Sequence, residues 1–210
     1  MLNRRFVLSL PVLGLISAGL ILFGQQPAKA ADTAGAETFI TELAQQAVES
    51  LTGEDIARDQ RIANFRTMFQ SHFAVDAIGK WVLGRNWRKA SETEQAEYLK
   101  LFEDLMIVSY VDRFSEYAGQ TLQVTGSSEK QKIIMVSSDL NNPGSNQPIR
   151  VDWRVGERDG GFKILDVVVQ GTSMSATLRS EFGSIIKQKG GSVAGLIEVL
   201  KEKTAELSAS

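Results

Sequence analysis

Two periods divide the chain. From Ala36 to about Ala118 the apolar residues recur every three or four positions, and from Gln120 to Val169 they alternate, which are the marks of helix and of strand. The first helix predicted runs Ala36 to Leu51, with Phe39, Ile40, Leu43, Ala47, Val48 and Leu51 on one stripe and Gly53 to stop it. A second follows from about Glu54 to Phe73 along Ile62, Phe65, Phe69 and Phe73. Val75 to Trp87 is short and apolar on more than one side, since Val75, Ile78, Val82 and Leu83 share a face, Trp81 and Trp87 add rings, and Gly79 and Gly84 permit close approach. Ser91 to Glu94 has the form of a capping box, opening a long helix predicted to reach about Ala118 through Leu99, Phe102, Leu105, Met106, Val108, Tyr110, Phe114 and Tyr117.

Gly119 ends the helical period. Four strands are expected: Thr121 to Thr125, Lys132 to Leu140, Ile149 to Val155 and Phe162 to Val169, with turns at Gly126-Ser127-Ser128, Asn141 to Pro148 and Asp159-Gly160-Gly161. In the third, Val151, Trp153 and Val155 face one way and Arg150, Asp152 and Arg154 the other, so that strand has a wet face and a dry one. The fourth is apolar on both faces except for Lys163 and Asp166, which predicts a central place in the sheet. Short connections imply an antiparallel meander. Gly171 ends the last strand, Thr172 and Ser173 can cap a helix striped with Met174, Leu178, Phe182, Ile185 and Ile186, and Ser192 to Leu207 makes a final helix after Gly190-Gly191. The fold class is α+β: helices first, a four-stranded antiparallel sheet, then two helices that fold back on it.

The first thirty residues belong to another category. Arg4 and Arg5 precede an apolar run from Phe6 to Phe23, and Ala28-Lys29-Ala30 supplies small residues at alternate positions, the form of a cleaved export signal. A single membrane anchor competes with this reading, but Pro11, Gly14 and Gly19 interrupt the run. We read residues 1–30 as a signal peptide, of the general secretory rather than the twin-arginine kind, and 31–210 as one domain of roughly 180 residues. Losing Arg4, Arg5 and Lys29 takes the 23 basic residues to 20 against 25 acidic ones, a net charge of −5. That balance argues against nucleic acid as a partner. With no cysteine, disulfides, thiol catalysis and a lipid-modified N-terminus are excluded.

Candidate chemistry is sparse. The single histidine, His72, sits beside a buried helical line without a G-x-S-x-G serine or a second histidine, and we assign it no function. Metal-ligand clusters and phosphate-cradling glycine loops are absent from the sequence. Asp166 and Glu181 could form an acid/base pair, or Asp166 could be a buried acid held by Arg150, Arg154 or Arg179. The residues alone favour a binding protein over an enzyme.

The ordered motifs are specific as a set. Val82-Leu83-Gly84-Arg85-Asn86-Trp87, Ala90-Ser91 with the acidic start of the long helix, Tyr117-Ala118-Gly119-Gln120-Thr121, Asp166-Val167-Val168-Val169-Gln170-Gly171-Thr172-Ser173-Met174, Ser180-Glu181-Phe182, Lys189-Gly190-Gly191 and Gly195-Leu196 together resemble the MlaC family, also called toluene-tolerance auxiliary proteins. The chain departs from that family where an acidic residue more often stands at the Gln170 position and an apolar one at Thr172. The resemblance spans roughly Phe65 to Leu200, and residues 31–59 match only in being helical.

The resemblance implies a curved antiparallel sheet packed against helices, an NTF2-like cone with extra helices, and a lipid cleft between the layers. It implies a periplasmic carrier, not an enzyme and without a cofactor, that takes diacyl phospholipid between an outer-membrane lipoprotein-porin complex and an inner-membrane ABC transporter with its substrate-binding subunit, and so maintains outer-membrane asymmetry. Such a carrier is physically necessary, since at ~0.8 kcal/mol per methylene two acyl chains lose on the order of 20 kcal/mol on entering water. The residues expected to line the cleft are Ile78, Val82, Leu105, Tyr110, Val136, Val151, Trp153, Val168, Met174 and Leu178, each of which could equally be ordinary core. A carboxylate-dependent enzyme and a protein-interaction module that binds no lipid stand as alternatives.

Overall fold

The structure is a computed structural model that describes residues 32–53, 55–116, 119–145, 147–158 and 160–209, with the side chains of 115 and 116 excepted. The signal peptide read from the sequence lies outside the described residues.

Helix α1 (Thr33–Leu51) starts three residues before the expected Ala36 because Asp32 caps it, its side chain accepting from Gly35 N at 2.8 Å. Helix α2 (Arg58–His72) begins later than its pattern suggested, after a turn closed by Ile56 N to Gly53 O. The two helices are tied by a buried cation: Arg61 donates from Nε to Leu51 O at 2.8 Å and from Nη2 to Gly53 O and Ile56 O, and Asn64 donates to Ser50 O. Ser50 O and Leu51 O belong to the last turn of α1, whose carbonyls have no intrahelical partner, so α2 caps its neighbour, while Gly53 O and Ile56 O lie in the turn between the two helices. Helix α3 (Val75–Leu83) passes at Gly84, φ 57°, into a 3-10 turn (Gly84–Lys89).

The Ser91–Glu94 capping box is present as read, and it opens α4 (Glu92–Tyr110). That helix is shorter than predicted, since the apolar period continues through Val111 into a separate short helix, α5 (Arg113–Glu116). Tyr98 and Phe102 of α4 bring their rings edge-on to Phe182, and the Tyr98 hydroxyl donates to Gly79 O at 2.9 Å.

The sheet runs in order β1 (Thr121–Lys130), β2 (Ile133–Asn141), β3 (Ile149–Arg158), β4 (Gly161–Val169) and β5 (Thr172–Ser173), antiparallel throughout. The meander is the one expected, with a two-residue fifth strand added. Three placements differ from the pattern. Gly126-Ser127-Ser128 is inside β1, where a bulge between Val124 and Gly126 absorbs the break, and the chain turns instead at Gln131 and Lys132, φ 53° and 64°. Strand β4 is next to the sheet edge; beyond it lie only β5 and a parallel bridge from Phe73 to Ile164. Its two-sided burial comes from helices α2, α3 and α6 (Met174–Gln188) packing on it. The last helix, α7 (Val193–Ala209), packs along α4 and α6 rather than on the sheet.

Candidate functional site

Helix α1 crosses one face of β1 and β2, and under it the layers do not close. A cavity of about 610 Å³ remains, within the range of about 300–1,000 Å³ usual for ligand pockets. Its floor is Leu122, Leu140, Ile149, Val151, Trp153 and Val169 of the sheet; Phe65, Met68, Phe73 and Phe114 close one side; α1 supplies the roof. The helical period explains what α1 contributes. Ile40, Leu43, Ala44 and Ala47 form one row and Thr41, Gln45, Glu49 and Thr52 the row beside it, a dry row and a wet one a fraction of a turn apart. Gln120 and Thr121, at the start of β1, are the other polar members of the lining. Gln120 Oε1 is buried with no hydrogen-bond partner among the described residues, so it can accept from a donor that enters the cavity.

Trp153 is fixed in this wall. Its Nε1 donates to Ser138 Oγ at 2.9 Å, and Ser138, wholly buried on β2, donates to Val151 O at 2.8 Å. Neither polar group is left unpaired. The opposite face of the same strand is wet, as its alternation predicts: Asp152 accepts from Ser137 Oγ at 2.6 Å and from Arg150. Burial works to raise the Asp152 carboxyl, but those hydrogen bonds and the guanidinium charge outweigh it and hold the group below the ordinary carboxylate range.

Asp166 is a staple between strand and helix. Its Oδ1 accepts from Ser175 N at 3.0 Å and Ser175 Oγ at 2.7 Å, and its Oδ2 from Arg154 Nη1 at 3.0 Å and Ser173 Oγ at 2.6 Å. Ser173 Oγ in turn accepts from Ala176 N to cap α6. Of the two readings open for Asp166, this geometry is the buried acid held by Arg154; Glu181 is exposed. Burial pushes the Tyr98 phenol far up from its usual value. His72 Nδ1 lies 3.0 Å from Met68 O with its ring beside Phe39. Among the described residues no group of acids and histidines could hold a metal ion, and no helix is long and apolar enough to cross a membrane.

Of the ten residues expected at the cleft, Val151 and Trp153 line the cavity. The others stand elsewhere. Val82 and Leu105 are buried in the core, and Ile78, Tyr110 and Leu178 pack against it partly exposed. Val136 pairs with Trp153 and shares its face but is wholly covered. Val168 pairs with Asp152 and therefore points to the opposite face from Val151; β4 is apolar on both faces, so its sequence could not distinguish them. Met174 is partly buried at the start of α6. What the pattern missed is mostly α1, whose signal was an apolar stripe that outlasts its burial: Val48 is 50% exposed yet lines the cavity.

A family model described as MlaC protein matches residues 41–202. The chain belongs to the MlaC family. The match takes in most of α1, the helix that roofs the cavity, as well as the sheet and the helices after it. A relative from Haemophilus influenzae, the intermembrane phospholipid transport system binding protein MlaC, is 26% identical over 169 residues, covering 74% of this chain and 79% of its own. The MlaC fold is seen again in a phospholipid-binding protein from Ralstonia solanacearum, solved in complex with a phospholipid: it superposes with a TM-score of 0.74 at 21% identity, over 82% of this chain and 98% of that one.

Proposed function

We propose that the protein is a periplasmic phospholipid carrier, which holds the acyl chains of a diacyl lipid in the cavity between α1 and the sheet and leaves the headgroup at the polar row of α1. The observation that carries this reading is the cavity itself, about 610 Å³ with a predominantly apolar lining and a wet margin at Thr41, Gln45 and Glu49. A closed core would bury that surface against side chains; here a guest must cover it. The Haemophilus relative's name, intermembrane phospholipid transport, and the lipid bound to the Ralstonia protein support the same guest. Val151 and Trp153 are the wall residues read from the sequence, and Gln120 is a candidate for a polar group of the bound lipid.

In this reading residues 1–30 are removed on export and 31–210 act as one domain. The carrier exchanges lipid with an inner-membrane ABC transporter complex and an outer-membrane lipoprotein-porin complex, and performs no covalent chemistry: among the described residues the buried carboxylate is that of Asp166, and both its oxygens are committed. Native mass spectrometry of the protein purified from its own periplasm is the test. A bound diacyl phospholipid, chemically intact, is the expected result; bare protein, or release of fatty acid or lysolipid that ceases in Asp166→Asn, would overturn it.

A further inference from the structure

Two large apolar side chains stand exposed among the described residues, Val48 at 50% and Trp81 at 46%. The cavity accounts for Val48. Trp81, on α3, is outside the cavity lining, and its surroundings are cationic. Lys80, Arg85, Arg88 and Lys89 lie within ten residues that contain no acid, all four exposed, and exposed Arg179 of α6 joins them. None of the five forms a salt bridge among the described residues, whereas Arg58, Arg66, Arg150, Arg154 and Lys201 each hold a carboxylate. The acids nearest in sequence, Asp76 and Glu92 on the α3 side and Glu181 after Arg179, are exposed and pair with none of them. Scattered unpaired cations are ordinary; four within ten acid-free residues that hold an exposed tryptophan, with a fifth against its ring, in a chain of net negative charge, are a local reversal of sign.

Part of the cluster is held in place by its own contacts. Arg179 lays its guanidinium 4.8 Å from the Trp81 ring centroid and donates from Nη1 to Trp81 O at 2.6 Å. Gly84 makes room for it, since a Cβ there would come within 2.7 Å of Arg179 Nη2. Lys80 Nζ sits 5.3 Å from the Trp87 ring centroid, and Trp87 O accepts from Gln95. In the 3-10 turn Arg85 and Arg88, three apart, stack on one side. For Arg179, Trp81 and Lys80 side-chain ordering has already been done by the fold, which lowers the entropy that binding must supply.

We propose that Trp81, Lys80, Arg85, Arg88, Lys89 and Arg179 form a docking surface for an acidic patch on a protein partner, the membrane complex with which the carrier exchanges lipid. This rests on the carrier reading for the partner's identity, not for the surface. Tryptophan and arginine are the residue types that dominate protein interface hot spots, and guanidinium forks match carboxylates in pairs. A lipid surface fits less well: it would have one tryptophan, already held by a guanidinium, as its apolar anchor, and firm membrane attachment needs more buried apolar area or a second signal.

The test uses lipid-loaded full-length mature protein, the triple variant Arg85→Glu/Arg88→Glu/Lys89→Glu and, separately, Trp81→Ala. Each is measured for bound lipid by native mass spectrometry and for binding to the purified inner-membrane and outer-membrane complexes by biolayer interferometry at low and high salt. Lipid content stays at the wild-type level, binding to at least one complex weakens about tenfold or more in both variants, as hot-spot losses do, and wild-type binding weakens as salt rises. Wild-type affinity in either variant, or no binding of the wild type to either complex, overturns the proposal. So does attachment of the wild type to protein-free anionic vesicles that the triple variant loses, which would make the face a membrane surface. An empty wild-type cavity would instead sink the carrier reading, while the docking measurement still decides the surface.

Discussion

Val151 is 6% exposed and yet lines the cavity, so a carboxylate placed there separates a lipid wall from a closed core. In Val151→Glu the charge can reach the open space once lipid has gone, whereas in packed core it would cost several kcal/mol. The expected product is soluble and folded by circular dichroism and carries little or no phospholipid; insoluble protein would mean that the position is core, and normal lipid content that the face does not touch the guest. On the other face of the strand, Asp152 makes stability depend on pH. Its folded pKa lies below the ordinary carboxylate value of about 3.9, so the contribution is present above about pH 4 and is lost as the pH falls through the folded value. Urea midpoints of wild type and Asp152→Asn should therefore differ at pH 7 and converge toward pH 2.

At the scale of elements, the cavity depends on how α1 is held. Its terminal carbonyl, Leu51 O, accepts from Arg61 of α2, a buried side chain that also donates to Gly53 O and Ile56 O in the turn between the two helices. Replacing it by Met keeps the bulk and removes the donors. Hydrogen bonds to charged groups contribute about 1.5–3 kcal/mol, so Arg61→Met should lose about 2–3 kcal/mol in chemical denaturation, with amide exchange accelerated first in the last turns of α1. Exchange that rises evenly across the molecule would show instead that α1 is held by packing alone. The junction from β4 to α6 rests on a similar device, Asp166 accepting from Ser173 and Ser175. That bonding explains why an acid and two serines occupy this strand-to-helix turn.

For the whole molecule, the guest belongs to the stability. A ligand that binds only the folded state adds about 2.7 kcal/mol at a hundredfold excess over Kd, which for a domain of this size raises Tm by roughly 5–10 °C. Delipidated protein should melt lower than loaded protein by about that interval in a calorimetric scan and recover on reloading from vesicles. Identical melting temperatures would count against a cavity formed in advance of its guest.

What the sequence determined by itself was local. Apolar spacing, the Ser91–Glu94 box and the alternation of Arg150 to Val155 are each written in neighbouring residues, because caps, helical stripes and pleats act over a few positions. The four strands of the meander followed, as did the face shared by Val151 and Trp153. The tertiary structure decided what covers each apolar face. Leu105 and Val82 read the same as Leu43 and Ile40, and all four are buried in the core, yet only the second pair also lines the cavity. Hydrophobicity drives burial without naming the partner, so whether a stripe meets side chains or a guest depends on whether two layers close, and that is set by the cap, the bulge and the helix crossing together.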